Sequence, residues 1–334
     1  MRAGRIAIPV ARASVLTALG LLAAIAAAAL ATLMLGRLGL SLGDLFDGVS
    51  GTKERFVLER LRGPRLVVAA GAGAALGLSG ALFQTVTRNP LGSPDVIGLS
   101  AGAGAGAAAV ALFLPGVVPI PLGALAGASL AMLLVYVSTG SGFRNPGRLI
   151  VAGIGVSAIA MALTQYVVYA VERDRAAALT AYVNGSLSAR SWEHAVTIGV
   201  ILLLVAPPVV LLSARLSISE LGDELAAGLG AEPHRARAAA VTLSIVLSAG
   251  AVAVAGPIAF ISLTAPQIAK RLTRVPGPHL MLSALTGALL LILADLAAQH
   301  APIPGNLPVG IYTLAVGGLY LGYLLTREWR KGHL

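Results

Sequence analysis

No cysteine occurs in the 334 residues, which excludes disulfides, thiolate metal sites and a cysteine nucleophile. Charge is scarce as well: 11% of residues are Asp, Glu, Lys or Arg, against about 25% in an ordinary soluble domain. Aromatic residues make up only 4%. No Gly-rich phosphate loop ending in Lys-Ser or Lys-Thr is present, so the chain is not expected to bind or hydrolyse ATP. No His-Glu-x-x-His or comparable ligand cluster occurs, and His194, His234, His279, His300 and His333 are scattered. Nothing in the pattern looks like a catalytic constellation.

What is present settles the class. Hydrophobic residues reach 57%, mean hydropathy is +0.87, and apolar runs of about 20 residues recur, which is the length that crosses a bilayer as a helix. The chain reads as an all-α polytopic membrane protein. Its 40 glycines suit helices packed backbone to backbone. Gly73 and Gly77, Gly102 and Gly106, and Gly123 and Gly127 each stand four apart, the spacing of small-residue helix contacts. Gly102-Ala-Gly104 resembles the start of a dinucleotide fingerprint, but an all-helical chain offers no strand–turn–helix to hold one. The net charge of +10 is read as Lys and Arg flanking spans, with membrane lipid and not nucleic acid as the surroundings.

Spans are expected near residues 13–35, 66–83, 96–114, 121–137, 149–171, 195–212, 238–255, 260–272, 280–298 and 307–325. The count is ten if 260–272 crosses as a short or buried helix and nine if it does not. With ten spans both termini face the cytoplasm and most Lys and Arg fall on the inner side, as the positive-inside rule requires. The exception is residues 36–65, an outward loop that is long and itself basic. Asp295 is the one clear acid within the spans, and a helix-end hydrogen bond suits it better than a proton relay.

Residues 218–230 break the apolar pattern. Glu220, Asp223 and Glu224 lie within five residues, while Leu221, Leu225 and Leu229 recur four apart, so a helix here has a greasy stripe beside an acidic face. Ser217 with Glu220 three residues later predicts a capping box. A dozen residues do not cross a membrane. The segment is expected either to dock something outside the bilayer or to lie in the headgroup region.

A series of motifs then gives the chain a family resemblance: Leu61-Arg-Gly-Pro-Arg65, Gly80-Ala-Leu-Phe-Gln84, Arg88-Asn-Pro-Leu-Gly-Ser-Pro-Asp-Val-Ile-Gly98, Gly153-Ile-Gly155, Asn184-Gly-Ser-Leu187, Leu221-Gly-Asp-Glu-Leu-Ala-Ala-Gly-Leu-Gly230, Phe260-Ile-Ser-Leu-Thr-Ala-Pro266 and Leu307-Pro-Val-Gly310. In that order, over almost the whole chain, they resemble the FecCD-type permeases of bacterial ABC importers for iron–siderophores, haem and vitamin B12. The resemblance implies a type II ABC importer permease fold in a single domain over 1–334. It also implies a second permease subunit, identical or related, two cytoplasmic ATP-binding subunits and an extracytoplasmic solute-binding protein. ATP and Mg would sit on the ATPase, and no cofactor on this chain.

The resemblance further implies a coupling helix carried by Leu221, Gly222, Asp223, Glu224, Leu225, Leu229 and Gly230, and binding-protein docking by Arg62 and Arg65. The family often places another arginine after the acid matching Asp295. Here Ala298-Gln-His300 stand there instead, so a third docking arginine is not expected. For the translocation path it points to Asn145 and Arg148 at the inner mouth, to Gln165, and to Asn184 and Ser186 outside. The expected cargo is a ferric siderophore, crossing the cytoplasmic membrane on ATP hydrolysed by the partner. Haem or vitamin B12 on the same machine is the first alternative. An ion-coupled secondary transporter and a non-transporting scaffold are the others; the first needs buried acids that this chain mostly lacks, and the second leaves 218–230 without a role.

Overall fold

The computed structural model describes residues 12–36, 40–41, 51–95, 97–140, 146–170, 179–219, 222–228, 232–301 and 307–330. Among them the regular elements are helical. They are α1 (Arg12–Met34), α2 (Thr52–Phe56) continuing through a π-helical stretch (Val57–Arg62) into α3 (Gly63–Thr87), α4 (Leu99–Phe113), α5 (Ile120–Ser138) and α6 (Pro146–Ala170). After these come α7 (Trp192–Ser219), α8 (Asp223–Gly228), α9 (Pro233–Ala255), α10 (Ile261–Thr273), α11 (Leu280–His300) and α12 (Val309–Arg330).

Helix α3 is the axis of the bundle. It packs against α11, α9, α10 and α7, and its side from Val68 to Thr85 is almost wholly buried. Small residues allow this. A Cβ on Gly73 or Gly77 would collide with the backbone of Gly287 or Ser283 on α11, and one on Gly80 with the Ser262 backbone on α10. The same device joins α4 to α5, where Gly102 and Gly106 face Gly123 and Gly127 backbone to backbone. All three glycine pairs expected from spacing are therefore helix contacts. Between α3 and α9, Ser79 Oγ donates to the Ser244 carbonyl at 2.7 Å and Ser244 Oγ to that of Ser79 at 2.8 Å.

Among the described residues seven helices are long and apolar enough to cross a membrane, and Leu99–Phe113 and Val309–Tyr323 are shorter apolar ones. Helix α10 bears on the question of nine or ten. Its 13 residues rise about 20 Å, short of the roughly 30 Å hydrocarbon core. It is preceded by non-helical residues 256–260. Gly185 abuts the Pro257 carbonyl near the head of α12, and the Phe260 side chain lies on Gly317 two turns further along that helix. Irregular backbone at this depth is tolerated because it is buried in protein: Gly256 and Ile258 are enclosed. By itself α10 is thus too short to cross a membrane.

The basic stretch before α3 is partly helix, not open loop. A π-helical stretch needs a bond from residue i to i−5, and the Gly63 N–H donates to the Leu58 carbonyl. Trp192 Nε1 donates to the Glu59 carbonyl at 2.7 Å and fixes the stretch to the start of α7.

Candidate functional site

Three regions carry the residues singled out by sequence: the α7–α8 corner, the rim formed by α1, α3 and α11, and helix α6 with the 184–186 turn.

At the corner the helix is shorter than expected. α7 runs on through Ser219, so Ser217 lies inside it and its hydroxyl donates to the Ser213 carbonyl at 3.0 Å. The predicted capping box is not formed by Ser217, because a residue already within a helix has no free N-terminal N–H groups to cap. Gly222 then turns the chain with φ +109°, a conformation glycine takes without strain, and α8 begins at Asp223. Glu224 is exposed, Leu225 is 63% exposed, and Ala226 is fully buried. Leu221, Leu229, Gly230 and the Asp223 side chain lie outside the described residues. The corner is braced from α3: Arg88, at its left-handed C-cap, donates to the Ser219 carbonyl at 2.8 Å.

Beside that brace lies a polar joint that sequence reasoning missed. Asp95 accepts from Ser100 Oγ at 2.5 Å and from Ser262 Oγ at 2.6 Å, tying the first turns of α4 and α10 together. Gln84 donates to the Leu263 carbonyl at 3.0 Å, and Gln267 donates to Gln84 Oε1 at 2.6 Å and to the Pro90 carbonyl at 3.2 Å. Burial pushes the Asp95 carboxyl above its ordinary range, while the two serine hydroxyls act in the opposite direction. The signal was an acid in an otherwise uncharged stretch between two helices.

At the rim of α1, α3 and α11, Arg62 and Arg65 are both engaged within the chain. Arg62 Nη1 donates to the Thr32 and Leu33 carbonyls at 2.7 and 2.8 Å, closing the C-terminal end of α1. Arg65 grips Asp295 in a two-pronged pair, Nη2 to Oδ1 at 2.7 Å and Nε to Oδ2 at 2.9 Å. The Asp295 side chain is 2% exposed and that of Arg65 23%. Gln299, near where the family often has a further arginine, donates to Asp295 Oδ2 at 2.7 Å. Asp295 therefore serves a helix-end contact, as an ion pair stronger than the expected hydrogen bond.

Arg148 is exposed on the first turn of α6 and, with Ser138, Thr139, Gly147, Val151 and Ala152, lines an open concavity of about 450 Å³. Asn145 lies outside the described residues. Gln165 is exposed on the same helix, 17 residues on, hence about 25 Å away. Asn184 is half-buried and donates to the Thr180 carbonyl at 2.7 Å, and Ser186 is buried. The Ser186 N–H donates to the Ala255 carbonyl at 2.9 Å, and Gly310 N–H to that of Gly185 at 3.0 Å. These residues sit at separate depths and form no single pocket.

Comparison with known proteins agrees with this layout. Residues 22–327 match the FecCD transport family. The ferric enterobactin transport system permease protein of Escherichia coli (strain K12) is 38% identical over 96% of this chain and 99% of its own. An Fe(3+)-citrate import system permease protein of Bacillus subtilis (strain 168) is 38% identical over 83% and 84%. A metal-chelate type ABC transporter solved in an inward-facing conformation superposes with a TM-score of 0.81 at 25% identity, covering 92% of this chain and 98% of that one. With the long apolar helices, these matches make the assignment: the chain is a multi-pass membrane protein that belongs to the FecCD transport family.

Proposed function

We propose that this chain is the permease subunit of an ABC importer that carries a ferric siderophore or related ferric chelate across the bacterial cytoplasmic membrane. The observation that carries the reading is the end-to-end match to a ferric enterobactin permease, covering 96% of this chain and 99% of the relative.

Energy enters at the α7–α8 corner, on the cytoplasmic side with both termini. Leu225 stands out from α8 while Ala226 is buried against the bundle, so the helix offers an apolar knob beside Glu224. Leu221, Gly222, Asp223, Leu229 and Gly230 complete the surface that seats in a cleft of the ATP-binding subunit, with the carboxylates meeting basic groups at its rim. ATP and Mg are held by that subunit and none by this chain. Motion delivered there passes through Arg88 to α3 and through the Asp95 joint to α4 and α10. The permease pairs with a second permease subunit, and a solute-binding protein docks on the outer rim. Arg62 and Arg65 serve the docking by holding α1, α3 and α11 in register, and exposed Lys53 and Arg60 meet acidic groups on the partner. Asn145 and Arg148 act at the inner mouth, Gln165 along the path, and Asn184 and Ser186 at the outer end.

The reading is tested by affinity purification of the permease expressed with its ATP-binding subunit. The wild type is expected to bring that subunit along, and Leu225→Arg to insert normally but lose it. Retention of the subunit by Leu225→Arg contradicts the coupling role.

A further inference from the structure

Helix α12 lays one side on the bundle, with Val309, Gly310, Thr313 and Gly317 buried, and turns Ile311, Leu314, Leu319 and Tyr323 away from it. Its buried side is held at three levels. At the head, the Gly310 N–H donates to the Gly185 carbonyl at 3.0 Å. Midway, Gly317 lies against the Phe260 side chain so closely that a Cβ would overlap the ring. Further on, the Arg271 guanidinium carbon stands 5.5 Å from the centre of the Tyr320 ring and 5.6 Å from that of Tyr323. Both distances are within the reach of a cation–π contact, about 6 Å.

Phe260 and Arg271 belong to one short element. Phe260 is the N-cap of α10, and Arg271 is in its last turn. α10 therefore touches α12 at both of its own ends, and two separated contacts fix relative orientation as well as distance. α10 is tied in turn to the α7–α8 corner. Gln267 stands one turn before Arg271 on the same face. It donates to the Pro90 carbonyl at 3.2 Å and to Gln84 Oε1 at 2.6 Å. Two residues before Pro90, Arg88 donates to the Ser219 carbonyl at the end of α7 at 2.8 Å. Contacts thus run without a break from Ser219 through Arg88, Pro90, Gln267 and Arg271 to Tyr320 and Tyr323. α12 itself continues the series to Gly310, which abuts Asn184 and Gly185.

We propose that Arg271 is the positioning residue that passes motion from the α7–α8 corner to α12, and through α12 to the 184–186 turn. The inference rests on the importer reading above and adds a leg from α10 to α12. The type of contact suits a moving joint. A hydrogen bond weakens steeply as its angle changes, whereas a cation is attracted to a ring face across a range of positions. A guanidinium also stays charged throughout. Two rings side by side, 6.5 Å between centres, let the cation shift from one toward the other while α10 and α12 remain joined.

The experiment uses the assembled transporter with its binding protein in proteoliposomes and measures ferric chelate taken up per ATP hydrolysed. The probe is whichever of ferric enterobactin and ferric dicitrate the wild type carries. Arg271→Gln is expected to lower this ratio about fivefold, the scale of one lost contact of this kind. The KM for the chelate and co-purification of the ATP-binding subunit are expected to stay at wild-type values. Arg271→Lys, which keeps a cation over the rings, is expected to recover most of the loss. Tyr320→Leu together with Tyr323→Leu keeps apolar bulk but removes both ring faces, and is expected to match Arg271→Gln. Combining all three changes should lower the ratio no further, because either set removes the same contact. If Arg271→Gln does not accumulate in the membrane, the leucine pair with and without Arg271→Lys carries the test. An unchanged ratio, losses that multiply on combination, or a lowered unfolding midpoint with the ratio intact overturns the proposal. A wild type with no ATP-dependent uptake of either chelate overturns the importer reading instead.

Discussion

Helices α3 and α6 are both 25 residues long and both apolar, yet the bundle uses them in opposite ways. In the apolar stretch that contains α3, 72% of residues are buried, and in that of α6 only 22%. α3 is surrounded by this chain's own helices, through glycines that let α11, α10 and α7 approach and a serine pair that joins α9. α6 turns Val151, Ile154, Ile159, Tyr166 and Tyr169 outward, and a Cβ at Gly155 would meet nothing. In a membrane the hydrophobic effect does not drive helices together, so close backbone contact has to do so. α3 has that contact inside the chain. The outward side of α6 has no such contact among the described residues.

Substitution can break this comparison or sharpen it. The largest effect is expected from Gly77→Leu, whose side chain would enter the Ser283 backbone of α11. No monodisperse permease should survive detergent extraction, whereas Gly155→Leu should give wild-type yield by size-exclusion chromatography. Equal yields would mean that α3 is not the better-packed helix. Next comes Arg65→Ala, which strands Asp295 at 2% exposure. Removing one partner of a buried pair costs about 3–5 kcal/mol. Thermal unfolding in detergent should show that loss, and Asp295→Asn in the same background should restore much of it. Ser79→Ala, which removes one bond of the α3–α9 serine pair, should cost about 0.6 kcal/mol, the average for such bonds in a membrane. Gln165→Ala on α6 should leave the unfolding midpoint unchanged and alter only the rate of chelate uptake.

Much of the frame was legible in the sequence because it is written in local patterns. The long apolar helices followed from run length, and the contacts at Gly73/Gly77, Gly102/Gly106 and Gly123/Gly127 from four-residue spacing. What escaped depends on residues far apart in the chain. Arg65 meets Asp295 across 230 positions, and Asp95 meets Ser262 across 167, and no periodicity encodes either. Ser217 looked like a cap because its neighbours fit the pattern, but α7 continues past it.

The central claim, that ATP on a separate subunit drives a ferric chelate through this permease, is met most directly by uptake into proteoliposomes. These would hold the permease pair and the ATP-binding subunits, with the binding protein added outside. The account predicts accumulation of the ferric chelate that requires both ATP and the ATP-binding subunit. Accumulation that persists without either one, or that follows an imposed ion gradient, would contradict it.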